Sequence, residues 1–321
     1  MTLRTVFFGT PAVAVPYLEL VHQTCALQAA VTQADKPRGR GMEIQPCPVK
    51  VRALELGVRV FSPEKLKDIT EEIKQIPFDL GVAVAFGKLF RPDFLALPKL
   101  GILNVHFSLL PLLRGAAPVQ RALMQGHTRT GVSVFWIRPG MDDGPLAVQK
   151  EIAIAPEDNA LTLFDKLVPL GLDALREAVA QIAQGQITQI PQTGEPTLAP
   201  MLAKEEAFLR PEELSARELH NRVRGLACGP KPKIPFTRNG QTEWVQVLCT
   251  SLDQVPYFAA NTPCGTAAAV ERGKGILVKC KEGLLWLRTL QPAGKKAMPA
   301  EAFANGRAVK KYERIFTENA E

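Results

Sequence analysis

Through the first half of the chain, short runs of aliphatic and β-branched residues recur between stretches of helical periodicity, an alternation that few folds can accommodate. Thr5 to Gly9 reads as a first strand, Val13 to His22 as the helix after it, and Leu27 to Thr32 as a second strand. A polar, basic loop carrying Asp35, Lys36, Arg38 and Arg40 leads to a helix near Val49 to Leu56. Further strands are expected over Val58 to Phe61, Leu80 to Ala85, Gly101 to Val105 and Gly131 to Trp136, with a helix near Val119 to Met124. The economical result is an α/β, doubly wound, mostly parallel sheet of Rossmann-like type. Such sheets take their ligands beyond the carboxyl ends of the strands, so residues just past those ends are the first place to look for chemistry.

The texture changes after a long amphipathic pattern over Leu161 to Ala183. A proline-rich stretch without periodicity follows, then a helix over Arg217 to Leu226 and short strand-like pieces at Trp244 to Cys249, Gly265 to Val270, Gly275 to Cys280 and Leu284 to Leu290. Several short strands in so little chain favour a small C-terminal β-barrel. The organisation expected is therefore a first domain over 1–188, a linker over 189–204 and a barrel domain over 205–321. With 46% hydrophobic and 22% charged residues the chain can bury a core in each, which excludes a disordered protein.

Charge is unevenly placed. Of a formal net +7, the window from Arg222 to Arg314 alone holds sixteen Lys or Arg against six Asp or Glu, so the remainder is mildly acidic. A basic face confined to the C-terminal part suits a polyanion such as RNA. The six cysteines are scattered without a C-x-x-C pair, and no metal-ligand set is expected. No apolar run reaches membrane-spanning length, and a cytoplasmic monomer is expected.

One constellation carries chemistry. Asn104 and His106 alternate along a strand end and so face the same side, where an amide donor and an imidazole can address one small group. That pairing suits acyl transfer, with the amide holding a developing oxyanion and the imidazole supplying charge or a proton. Asp142, in the turn-rich Pro139-Gly140-Met141-Asp142-Asp143-Gly144, can approach the same sheet edge, where its carboxylate would raise the pKa of the histidine. From the residues alone His106 is equally a core histidine, and Asp142 competes with its neighbour Asp143. No G-x-S-x-G nucleophile motif is present, so direct attack by a substrate amine is the simpler route.

Asn104-Val105-His106-Phe107-Ser108-Leu109-Leu110-Pro111, with Arg114-Gly115-Ala116-Ala117-Pro118 and Gly140-Met141-Asp142-Asp143-Gly144, resembles the folate-dependent formyltransferases. The opening Phe8-Gly9-Thr10-Pro11, the loop Thr32 to Gly41 and the late Gln291 to Met298 point to those members that formylate initiator methionyl-tRNA, and the resemblance covers essentially the whole chain. It implies 10-formyltetrahydrofolate as formyl donor, Asn104, His106 and Asp142 as the catalytic set, and Ser108, Leu109, Leu110 and Pro111 as folate contacts. It also implies that Arg40, with Arg38 beside it, meets the acceptor end of the tRNA, while an OB-like C-terminal barrel touches its backbone. The sequence departs from the family pattern at Ala227 to Lys233, which lacks the usual tryptophan, and at Phe107, where a small residue is usual.

Overall fold

Val6, Phe7 and Phe8 of the first strand are wholly shielded from solvent, as a strand covered on both faces requires. The order is Arg4–Gly9 (β1), Val15–Thr24 (α1), Ala26–Val31 (β2), the short pair Lys36–Arg38 (β3) and Glu43–Gln45 (β4), Pro48–Glu55 (α2) and Val60–Phe61 (β5). Then come Thr70–Lys74 (α3), Leu80–Val84 (β6), Pro92–Leu95 (α4), Ile102–His106 (β7), Pro118–Met124 (α5), Arg129–Trp136 (β8), Leu146–Ala153 (β9) and Ala160–Ala183 (α6). The computed structural model from which these are read describes residues 2–38, 43–253 and 261–318.

The seven-stranded sheet runs β5-β2-β1-β6-β7-β8-β9. Pairings from β5 through β7 are parallel and the last two antiparallel, which is the mostly parallel, doubly wound sheet expected. The chain winds outward from β1 in both directions, so strand order reverses there, and β6 and β7 lie immediately to one side of that reversal. Every residue of β6 is buried. A core of Phe8, Phe86, Phe94, Ile102 and their neighbours packs against it, with Phe8 meeting Phe86 edge-on at 5.6 Å. β7 ends on His106 itself, one residue later than the sequence pattern indicates.

Two compact units emerge: Met1–Pro118 with Arg129–Ala153 and Asp165–Pro200, and Val119–Thr128 with Ile154–Phe164 and Met201–Glu321. The expected connecting stretch, 189–204, is thus divided at Pro200. Named side chains draw the two early segments into the second unit. Arg121 of α5 makes a two-pronged ion pair with Glu206 at 2.5 and 2.9 Å, and Arg224 donates to the carbonyls of Asp158 and Ala155 at 2.6 and 3.0 Å.

The second unit continues through Ala216–Gly225 (α7), Lys233–Arg238 (β10), Gln241–Ser251 (β11), Ala267–Glu271 (β12), Gly275–Lys279 (β13), Leu284–Gln291 (β14), Met298–Pro299 (β15) and Ala300–Gly306 (α8). Its antiparallel sheet runs β10-β11-β14-β13-β12, with β15 beside β14. Residues 313–317 close the half-barrel, because Thr237 of β10 donates to the Ile315 carbonyl at 2.7 Å while Ala267 of β12 donates to that of Glu313 at 2.8 Å. The small barrel anticipated from the short strands, and OB-like by the family resemblance, is therefore present, filled by Ile234, Phe236, Val245, Leu287, Phe303 and Phe316.

Candidate active site

Beyond the carboxyl ends of β6 and β7 the first unit opens into a cleft of about 460 Å³. Phe86, Phe90, Phe135, Ile137 and the strand residues Ala83 and Val105 give it apolar walls, and residues 85–90 and 138–142 complete its lining. Ala85 and Gly87 hold left-handed φ of +46° and +71°, which bends the chain sharply away from β6 and opens this wall. Asn104, His106 and Asp142 all line the cleft. The Asn104 amide makes no hydrogen bond among the described residues, so its two N–H groups are available to a ligand.

His106 is 6% exposed and is held through Nε2, while Nδ1 faces a carboxylate. Nε2 lies 2.9 Å from the Leu113 carbonyl, an acceptor only, so that nitrogen carries a proton and donates it. Leu113 presents this carbonyl because its backbone sits at φ +59°. Nδ1 faces Asp142 Oδ2 at 3.7 Å. The sequence predicts that this carboxylate raises the imidazole pKa; in the structure, burial is the larger influence and pushes it down, with Asp142 and the Leu113 carbonyl opposing. The ring is therefore neutral at neutral pH, and Nδ1 carries a lone pair toward the carboxylate rather than a resident charge.

Asp142 adopts φ +48°, which Asp tolerates better than most residues. Its Oδ2 accepts from the Gly115 amide at 2.8 Å. Gly115, at φ +122°, admits no side chain, since a Cβ there would lie 2.8 Å from the Ala199 carbonyl oxygen. Gly144 ends the same turn for a similar reason: a Cβ would collide with the Trp136 carbonyl. Asp143, the competing carboxylate, packs against Gly140 and does not line the cleft.

Ser108, Leu109, Leu110 and Pro111 are not among the residues lining this cleft. The Ser108 hydroxyl donates to the Leu112 carbonyl at 2.6 Å, Ser133 Oγ donates to the Ser108 carbonyl at 2.7 Å, and the Leu110 amide donates to Ser133 Oγ at 3.1 Å. They knit the turn that delivers Leu113 to His106. Arg40 lies outside the described residues. Arg38 pairs with Glu43 in the β3–β4 ladder, well removed in sequence from the cleft residues. Phe107 is buried, lines the cleft, and meets Tyr17 edge-on at 6.3 Å.

The sequence did not single out Gln192 and Thr197. Thr197 Oγ1 accepts from the Leu113 amide at 2.8 Å, and the Arg114 amide donates to the Thr197 carbonyl at 2.8 Å. Gln192 Nε2 donates to the carbonyls of Asp142 and Gly144, both at 2.8 Å. Among the described residues no cluster of three or more His, Cys, Asp or Glu is arranged to hold a metal, and no helix is long and apolar enough to cross a membrane.

A buried imidazole, an unengaged amide and a carboxylate around one apolar cleft form a set of groups able to hold a developing oxyanion and take up a proton. The chain belongs to the formyl transferase family: residues 4–179 match its formyl transferase domain and residues 201–308 its C-terminal domain. Among full-length relatives are a methionyl-tRNA formyltransferase from Elusimicrobium minutum, 45% identical over 98% of this chain and 100% of its own, and one from Thermodesulfovibrio yellowstonii, 38% identical over 96% and 97%. Among solved structures, the sugar 3N-formyltransferase WlaRD shares the fold at a TM-score of 0.62 and 16% identity, covering 92% of this chain and 100% of that one. HypX from Aquifex aeolicus, crystallised with tetrahydrofolic acid, does so at 0.61 and 12%, covering 97% and 49%.

Proposed function

We propose that this enzyme transfers the formyl group of 10-formyltetrahydrofolate to the α-amine of methionyl initiator tRNA. The observation that carries the reading is the convergence of Asn104, His106 and Asp142 on one cleft, in a chain 45% identical to a methionyl-tRNA formyltransferase over nearly its full length. The cleft suits a folate: about 460 Å³ is ample for a flat bicyclic ring, with apolar walls for its faces. The backbones of 87–90 and 138–142 would hold that ring, and Ser108 to Pro111 would support it from beneath the catalytic turn. When bound, the folate supplies a formyl carbon activated for attack by an amine.

In this reading Asn104 directs its amide N–H at the formyl oxygen, where negative charge develops as the amine adds. Neutral His106 offers Nδ1 as the acceptor for the proton that the amine must lose. The imidazolium so formed is stabilised by Asp142, whose orientation Gly115 fixes. His106 then holds the proton at Nδ1 until the leaving nitrogen needs it.

The initiator tRNA would be held by the basic C-terminal domain, 205–321, with Arg40 and Arg38 meeting its acceptor end and 1–188 supplying the chemistry. The protein acts as a cytoplasmic monomer in this reading. Incubation with labelled 10-formyltetrahydrofolate and charged initiator tRNA, beside uncharged tRNA and amino-sugar nucleotides, tests it. Label in Met-tRNA alone is expected; label in a sugar nucleotide instead would move the enzyme to another branch of the family.

A further inference from the structure

Gln192 sits between the two stretches that match the formyl transferase domains, which end at 179 and resume at 201. Its surroundings are exposed, yet every polar atom of its side chain is used. Nε2 donates to the carbonyls of Asp142 and Gly144, and Oε1 accepts from Arg114 Nη2 at 2.6 Å and Nε at 3.2 Å. Arg114 stands between the two residues that contact the catalytic groups, Leu113 through its carbonyl to His106 and Gly115 through its amide to Asp142. One carboxamide therefore joins the turn carrying Asp142 to the loop carrying both of those contacts.

We propose that Gln192 is a positioning residue for the formyl-transfer centre, locking these two segments together so that the Asp142 carboxylate stays beside His106. The inference rests on the functional reading above. Both segments need such a lock, because Leu113 and Asp142 hold left-handed backbone that costs on the order of 1 kcal/mol or more per residue and persists only when surrounding contacts over-determine it. Gln192 is itself anchored on either side. Ile190 and Leu146 exchange backbone hydrogen bonds at 2.8 and 2.7 Å, and Ala199 donates to the Arg114 carbonyl at 2.7 Å. The side chain thus spans the gap from a fixed backbone, and no other residue can replace all four bonds: Glu lacks the two donors, and Met lacks donors and acceptor alike.

The test uses the full-length enzyme with Gln192→Met and Gln192→Glu. Four readouts are taken: kcat, KM for Met-tRNA, melting temperature, and the titration midpoint of the His106 imidazole followed by NMR. Asp142 is the charged group acting on that ring; Lys88 and Arg138 line the same cleft and are unchanged in both variants. The expected result is a fall in kcat of about 10- to 100-fold, the scale of an ångström-sized misplacement, with KM for Met-tRNA within about twofold. Because Asp142 raises the imidazole pKa, loosening its turn moves the His106 midpoint further down in both variants. Unchanged kcat and midpoint in both would overturn the proposal, as would a loss of kcat that only tracks the unfolded fraction while the midpoint stays put. Should the wild-type protein fail to formylate Met-tRNA, the functional reading fails separately, and the His106 midpoint still decides whether Gln192 holds Asp142.

Discussion

His106 gives Nε2 to the Leu113 carbonyl and leaves Nδ1 for the proton transfer proposed above, and these two uses predict separable defects. His106→Ala should lower kcat by roughly 10² to 10⁴, the range for losing a positioned acid–base group, with tRNA affinity almost unchanged. Asn104→Ala should cost about 10² to 10³ in kcat, as for an oxyanion donor. Steady-state kinetics beside a binding assay separates these from general damage. The pH profile carries a sign as well. Burial holds the imidazole pKa below its ordinary value of about 6.5, and the proposed mechanism uses the neutral ring, so the acid limb of kcat should fall below that pH. An acid limb above it would contradict His106 as the base. The sequence displayed Asp142 and hence its charge, but desolvation depends on what surrounds the ring, and no local pattern encodes that. Gln192 was equally illegible: its partners lie 48 to 78 residues away in sequence, and its own segment is proline-rich and aperiodic.

Elements with strong internal periodicity were readable, and edge elements were not. β6 is a continuous apolar run, and β1 and β7 carry apolar stretches at Val6 to Phe8 and Ile102 to Leu103, because the sheet buries both their faces. β9, by contrast, buries only Ala147 and Val148 at the sheet's margin and then alternates half-buried and exposed positions through Lys150 and Glu151, so it offers no long apolar run to see. β10 contains Pro235, tolerated because it too is an edge strand. α7 was legible, with Ser215 and Glu218 forming a reciprocal cap. On that helix His220 accepts or donates at Thr250 Oγ1, 2.9 Å away, and burial with Arg224 and Arg217 pushes its pKa down to about 4 against the opposing Asp253. The unfolded chain therefore binds this proton more readily than the folded one, and the linked stability is intact above pH ~6.5 and is lost as pH falls toward about 4. The second unit should lose at most about 1.4 kcal/mol per pH unit across that window through this residue. His220→Gln should flatten the dependence in pH-resolved thermal melts; an unaltered slope would show that other groups dominate.

Across the whole chain, the net +7 conceals an excess of ten positive charges between Arg222 and Arg314. If this face neutralises phosphates of the tRNA, log affinity should fall linearly with log salt, at a slope of about −0.7 to −0.9 per phosphate engaged. Filter binding between low and physiological salt measures it, and a flat line would remove the barrel from the interface. The placement of charge was visible in the sequence; which lysines and arginines share a face was not, because it depends on the pairing of β11 with β14 across the intervening β12 and β13.

The run from Ile190 to Ala199, laid against Leu113, Arg114 and Asp142, also limits how the halves of related enzymes can be recombined. A hybrid spliced near residue 180, where the first conserved domain ends, would import a foreign run onto the catalytic loops and should fold yet turn over poorly. A splice just after Pro200 would keep each parent's loops with the run that matches them. Comparing the two junctions in otherwise identical hybrids would reveal whether the boundary suited to breeding new transferases lies where the second domain match begins rather than where the first one ends.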